Sequence, residues 1–156
     1  MKGNEKVITL LNEFLADELT AISQYMVHSE MCANWGYEKL HEHTEKRAID
    51  EMKHAEKIIG RLLFLEGQPV VSNLNKIIIG SSVEVQLKHD LAAEADAVKA
   101  YNDGIHLCLE LGDNGSRELI EDNLEDEEEH LDWLEAQLDQ INQMGLQNYL
   151  LAQVKE

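Results

Sequence analysis

Apolar residues recur every third or fourth position in four long stretches of the chain, the spacing that gives a helix one greasy face. The first runs from Val7 to Asn34 and stops at Trp35-Gly36. The second, Glu38 to Leu65, is ended by Gly67-Gln68-Pro69. The third begins near Val83, where Ser81 and Glu84 are spaced as a capping box, and continues to Leu111. Asp113-Asn114-Gly115-Ser116 reads as a turn and N-cap region, from which the fourth runs to Met144. Gly145 ends it, and Leu146 to Val154 is short enough for a small fifth helix. The links at 35–37 and 112–115 favour antiparallel neighbours, whereas 66–82 can carry the chain along a whole bundle, with an apolar Ile77-Ile78-Ile79 on the way. The pattern predicts an all-α four-helix bundle roughly 40 Å long, at ~1.5 Å rise per residue, with one domain over residues 1–156.

The two halves of this pattern are copies. Residues 15–25 and 91–101 both fit L-A-x-E-x-x-A-x-x-x-Y, 76 positions apart. Residues 50–54 (Asp-Glu-Met-Lys-His) and 126–130 (Asp-Glu-Glu-Glu-His) both fit D-E-x-x-H at the same offset, which Cys32 and Cys108 also share. The chain therefore reads as one helical hairpin written twice.

Glutamates interrupt the greasy faces at matched places. The inward stripes read Val7, Leu11, Phe14, Glu18, Ala21, Tyr25; Leu40, Ala48, Glu51, His54, Ile58, Leu62; Val83, Leu87, Glu94, Ala97, Tyr101, Cys108; and Ile120, Leu124, Glu127, His130, Leu134, Ile141. Each helix contributes one inward carboxylate, and two add a histidine at i+3 on the same face. Four buried, unpaired carboxylates would cost several kcal/mol each. No Lys or Arg is expected on these stripes, so two divalent cations are the natural counter-charge. Glu from two helices with Glu-x-x-His from the other two is the ligand set of di-iron and di-manganese carboxylate bundles, and its oxygen and imidazole donors suit redox-active iron. The competing reading is an acidic bundle with solvated glutamates. Glu38/His41 and Asp103/His106 have similar spacing and are read as surface coincidences.

Composition narrows the partners. The chain has 156 residues, 44% of them hydrophobic, one proline (Pro69) and a formal net charge of −18. That charge repels phosphate, which argues against nucleic acid, and raises the local concentration of cations. No apolar run approaches the ~20 residues needed to span a bilayer. The polar Met1-Lys2-Gly3-Asn4-Glu5 start is unlike a secretion signal, and two cysteines are too few for a disulfide framework, so the cytoplasm is the expected compartment.

In longer stretches the sequence resembles the bacterioferritins, the haem-containing ferritins. The likeness lies in Met1-Lys2-Gly3, Ile49-Asp50-Glu51-Met52-Lys53-His54-Ala55, Leu63-Phe64-Leu65-Glu66-Gly67, Glu127 to Glu135, and Met144-Gly145-Leu146-Gln147-Asn148-Tyr149-Leu150. It implies a ferritin-like fold and a ferroxidase centre in which Glu18, Glu51, His54, Glu94, Glu127 and His130 hold two irons. Glu51 and Glu127 would bridge them, and Glu18 and Glu94 would each cap one. Tyr25 and Tyr101 would hydrogen-bond the carboxylates, or simply pack in the core. Tyr25 and Trp133 are candidate electron donors.

The resemblance also implies a shell of 24 copies built from two-fold dimers, storing iron oxidised by O2 or H2O2, with a ferredoxin-type protein as reductant. At each dimer contact a haem b would be held by Met52 from both copies. By itself, Met52 with Ile49, Ile59 and Leu63, beside Leu19, Ile22 and Met26 of the first helix, says only that an apolar face awaits a neighbour. Asn34, Glu66, Asp132 and Asp139 match the family's pore-lining positions. Two departures stand out. Lys46 replaces a histidine that some members use with the residue matching Asp50 to bind iron on the inner surface. Ile58 replaces a tyrosine some members place near the irons. A haem-free ferritin, a rubrerythrin-like di-iron peroxidase and a purely structural shell protein are the alternative readings; no Cys-x-x-Cys tail supports the peroxidase.

Overall fold

The computed structural model describes residues 1–155. It contains α1 (Glu5–Asn34), α2 (Glu38–Phe64), α3 (Val83–Glu110), α4 (Asn114–Met144) and the short α5 (Leu146–Gln153), and among the described residues no strand. Helix ends fall within two residues of the expected places, and local chemistry explains the differences. The Asn4 side chain accepts from the Lys6 amide, so α1 starts before its apolar stripe does. Ser82, not Ser81, caps α3, accepting from the Val85 amide. Gly145 turns the chain from α4 into α5 at φ 83°, a conformation that favours glycine.

α1 packs chiefly on α2, and α3 on α4, so the duplicated hairpin of the sequence is the packing unit. The crossover between the hairpins follows α1 along more than half its length. The Asn12 side chain donates to the Gln68 carbonyl and accepts from the Val70 amide. Farther along, the amides of Asn75, Ile78 and Gly80 donate to Thr20 Oγ1, Gln24 Oε1 and His28 Nε2. Sixteen residues of helix, roughly 24 Å at ~1.5 Å per residue, separate the first of these contacts from the last. The crossover thereby delivers the start of α3 to the far end of α1, and those two helices run antiparallel.

The interior is layered. One apolar cluster gathers Val7, Leu11, Phe14, Leu15, Ile58, Leu62, Leu65, Tyr101, Cys108 and Ile120. A second, at the opposite end, gathers Cys32, Leu40, Val83, Leu87, Leu134, Ile141 and Tyr149 of α5. The inward glutamates lie between them, closed off above and below by hydrocarbon.

Candidate metal centre

All six singled-out residues converge in that middle layer. Glu18, Glu51, Glu94 and Glu127 are each no more than 3% exposed, with His54 and His130 beside them. They form two overlapping groups able to hold a metal ion: Glu18, Glu51, His54 and Glu127, and Glu51, Glu94, Glu127 and His130. The shared pair shows how. Glu127 Oε1 lies 3.0 Å from His54 Nδ1, while its Oε2 lies 3.9 Å from His130 Nδ1. Glu51 Oε2 lies 3.6 Å from His54 Nδ1, while its Oε1 lies 3.3 Å from His130 Nδ1. Each shared carboxylate thus turns one oxygen toward each histidine. Both Nδ1 atoms, with Glu18 Oε2, Glu51 Oε1, Glu94 Oε2 and Glu127 Oε1, are buried without a hydrogen-bond partner. Six orphaned donor atoms facing one another fit a pair of cations, because burial without a partner is otherwise strongly unfavourable.

The surrounding contacts cross between the hairpins. The Tyr25 hydroxyl donates to Glu94 Oε1, and the Tyr101 hydroxyl to Glu18 Oε1. Both sequence readings of these tyrosines hold, since they bond the carboxylates while their rings are buried in the core. Asp126 Oδ2 sits 2.8 Å from His54 Nε2, and Asp50 Oδ2 3.4 Å from His130 Nε2. A carboxylate on Nε2 fixes the ring and leaves Nδ1 facing inward, as metal-binding histidines require. The first residue of D-E-x-x-H therefore orients the histidine of the opposite copy, a role the repeat contained but its spacing alone could not assign.

Without a metal, the cluster resolves its charge by sharing protons. Burial, then repulsion from Glu51, pushes the Glu18 carboxyl well above its ordinary range; burial and Glu127 do the same to Glu94. Burial works against Glu127 too, but the close approach of Glu94, His130 and His54 holds it well below. Burial would lower His54 and His130, yet the surrounding glutamates raise both.

One sequence expectation is wrong. A cation does share the inward stripes: Arg47, four residues before Glu51, is 4% exposed and donates through Nη2 to Glu94 Oε1 and, at 3.2 Å, to the Tyr25 hydroxyl oxygen. Its repeat partner Asn123 is fully buried, with both amide atoms unpartnered. Arg47 and Asn123 lie four residues before Glu51 and Glu127, one position ahead of Ala48 and Leu124 on the stripe. A cavity of about 370 Å³ reaches this layer between α1, α3 and the crossover, lined by Glu18, Glu51, Glu94 and Glu127 within and Asp17, Asn75, Lys76 and Asp96 nearer its mouth.

Known proteins match this chain along nearly its whole length. The ferritin-like domain family matches residues 8–144. A bacterioferritin of Rhodobacter capsulatus is 44% identical over 151 residues, covering 97% of this chain and 94% of its own. The chain belongs to the bacterioferritins. Bacterioferritins of Mycobacterium bovis and Brucella melitensis are 43% and 40% identical, each over 149 residues, covering 96% of this chain and 94% and 92% of their own.

In this bacterioferritin chain Met52 stands 45% exposed on the outer face of α2, with Ile49 and Leu63 also exposed and Ile59 partly buried. Met26 is exposed on α1, whereas Leu19 and Ile22 lean into the core and are partly covered. Asn34, Glu66, Asp132 and Asp139 are all on the surface. Lys46 is exposed near Asp50, and Ile58 is fully buried in apolar packing. The Trp133 ring stacks on His43 with centroids 3.6 Å apart. No described helix is long and apolar enough to cross a membrane.

Proposed function

We propose that the chain stores iron and oxidises it, as a ferroxidase acting on Fe(II) at the six-residue centre. The observation that carries the reading is the pair of carboxylates, Glu51 and Glu127, each offering one oxygen to each histidine side of the cluster. In the proposal Glu18 and His54 hold one Fe(II), Glu94 and His130 hold the other, and the shared glutamates bridge ions about 3.5–4 Å apart. Four carboxylates offset two divalent ions, with Arg47 a further buried charge beside Glu94, so substrate binding removes the repulsion among the carboxylates that otherwise favours protons on Glu18 and Glu94. The −18 charge of the chain draws cations toward the acidic surface.

The redox balance is simple. Two Fe(II) give up two electrons; O2 with two protons becomes H2O2, or H2O2 with two protons becomes two waters. Holding both ions together lets the oxidant take both electrons at one place, which avoids one-electron oxygen radicals. The displaced protons of the cluster are released as the ions bind. Tyr25 and Tyr101 steady Glu94 and Glu18, and Asp126 and Asp50 keep the histidines turned inward.

The setting of this chemistry is a cytoplasmic shell of 24 copies that stores the Fe(III) as mineral. The exposed thioether of Met52, amid Ile49, Leu63 and Met26, suits a haem b between two copies, and Met52 of each copy would hold it. Bound there, such a group would supply electron transfer across the shell for iron release, with a ferredoxin-type protein as reductant.

Replacing Glu127 or His130 by alanine tests the reading. Initial Fe(II) oxidation should slow at least about tenfold, a loss of about 1.4 kcal/mol of transition-state stabilisation, while the assembled shell keeps its size. Unchanged initial rates in both variants would overturn it.

A further inference from the structure

The two hairpins match residue for residue around the centre: Glu18 with Glu94, Asp50 with Asp126, Glu51 with Glu127, His54 with His130, Tyr25 with Tyr101. The match breaks at a buried pair four residues before the shared glutamates. Arg47 and Asn123 occupy equivalent places, one a guanidinium and the other a neutral amide. Arg47 holds Glu94 by a direct ion pair, bonds the Tyr25 hydroxyl that also holds Glu94, and lies over the Tyr25 ring with its guanidinium carbon 4.8 Å from the centroid. On the other side Glu18 Oε1 has the Tyr101 hydroxyl, and no Lys or Arg pairs with Glu18 among the described residues.

We propose that Arg47 is an internal counter-ion that makes the two halves of the centre unequal, so that the Glu18/His54 half fills first and the Glu94/His130 half is the weak, exchangeable one. The inference rests on the two-metal reading above. A cation entering the Glu94 half meets a carboxylate already engaged by a unit positive charge in a site shut off from water, where like-charge repulsion is weakly screened. It must also break or share the Arg47–Glu94 contact. An ion entering the Glu18 half meets only a hydroxyl donor on its terminal carboxylate. The Nε of Arg47 has no partner, so the guanidinium is held on one edge only. Arg47 is in this sense a positioning residue: it touches Glu94 and Tyr25, and it acts on the metal through them.

The test is anaerobic titration of the metal-free assembled protein with Co(II), followed by its visible absorption, beside Zn(II) binding by calorimetry. The wild type should bind two ions per chain in two phases. His130→Ala should remove the weaker phase, and His54→Ala the tighter. In Arg47→Gln the gap between the two affinities should shrink at least about tenfold, equivalent to about 1.4 kcal/mol, whereas Arg47→Lys, which keeps the charge, should retain most of it. A second reading comes from melting: metal-free Arg47→Gln should melt lower than the wild type, and saturating Zn(II) should raise its Tm by more. Two ions bound with a gap that Arg47→Gln leaves unchanged would overturn the role of Arg47 alone, as would loss of the tight phase in His130→Ala. Binding of no Co(II) or Zn(II) at the centre would overturn the two-metal reading and this inference with it. Should Arg47→Gln fail to fold, the wild type, Arg47→Lys and the two histidine variants still decide: equal affinities in the wild type, or a gap lost in Arg47→Lys, would contradict the proposal.

Discussion

At the scale of single residues, the centre is a store of displaced protons, and this fixes a pH dependence. In the metal-free chain Glu18 and Glu94 are raised above their ordinary 4.5, and His54 and His130 above 6.5. Each of these groups binds its proton more tightly folded than unfolded, so its contribution is complete below the unfolded pKa and is lost as pH rises toward the folded one. Glu127 is shifted the other way, but its contribution fades only below about pH 4.5, outside the neutral window. The Tm of the metal-free protein should therefore fall between pH 6.5 and 8.5, and saturating Zn(II) should flatten the curve by replacing the protons. A metal-free Tm that is constant or rising over that range would contradict this account. The six ligand candidates were legible because a glutamate on a greasy stripe is an anomaly, and four at matched positions form a pattern. Arg47 was not, since a stripe drawn one residue late passes through Ala48 and hides a cation that structure alone shows turned inward. The cross-bonding of tyrosines and aspartates was hidden for another reason: periodicity assigns a face, but it cannot say which helix lies opposite.

At the scale of elements, the crossover is held by a buried polar relay rather than by its own structure. Asp90 Oδ1 accepts from Gln24 Nε2 at 2.8 Å and lies 2.9 Å from His28 Nδ1, while the other ends of Gln24 and His28 receive the Ile78 and Gly80 amides. Removing the carboxylate leaves Gln24 Nε2 and His28 Nδ1 buried without that partner. Asp90→Ala should cost about 2–4 kcal/mol in a denaturant titration. It should also speed hydrogen exchange at Ile78 and Gly80 while far-ultraviolet circular dichroism stays helical. Protection unchanged at those two amides would show that something else pins the strap. The sequence showed that a long link existed and that Ile77-Ile78-Ile79 made it apolar, yet Ile78 and Ile79 are exposed in the chain. Their pattern alone did not tell a core segment from one awaiting a neighbouring copy. The helices were easier to read, because long apolar periods with Gly145, Asp113 and Pro69 as punctuation leave few alternatives. The first turn of α1 and the cap of α3 fell elsewhere than expected, because Asn4 accepts the Lys6 amide and Ser82, one residue past Ser81, accepts the Val85 amide.

At the scale of the whole molecule, the single chain carries apolar side chains that it does not bury. Met26, Ile49, Met52 and Leu63 are exposed on the outer faces of α1 and α2, and Phe64 closes α2 exposed as well. In the proposed shell this uncovered surface meets another copy. If Met52 grips haem, Met52→Leu should abolish the Soret band of haem-reconstituted protein, and sedimentation should still find the full shell, because leucine preserves the apolar contact. A Soret band of undiminished intensity would remove Met52 from that role. The most direct measurement bears on the layer between the two apolar clusters: anomalous diffraction at the iron edge from crystals soaked anaerobically in Fe(II). The account predicts two peaks in each chain, both within ligand distance of Glu51 and Glu127, one beside His54 and the other beside His130. Iron peaks confined to the surface, with none between those glutamates, would contradict it.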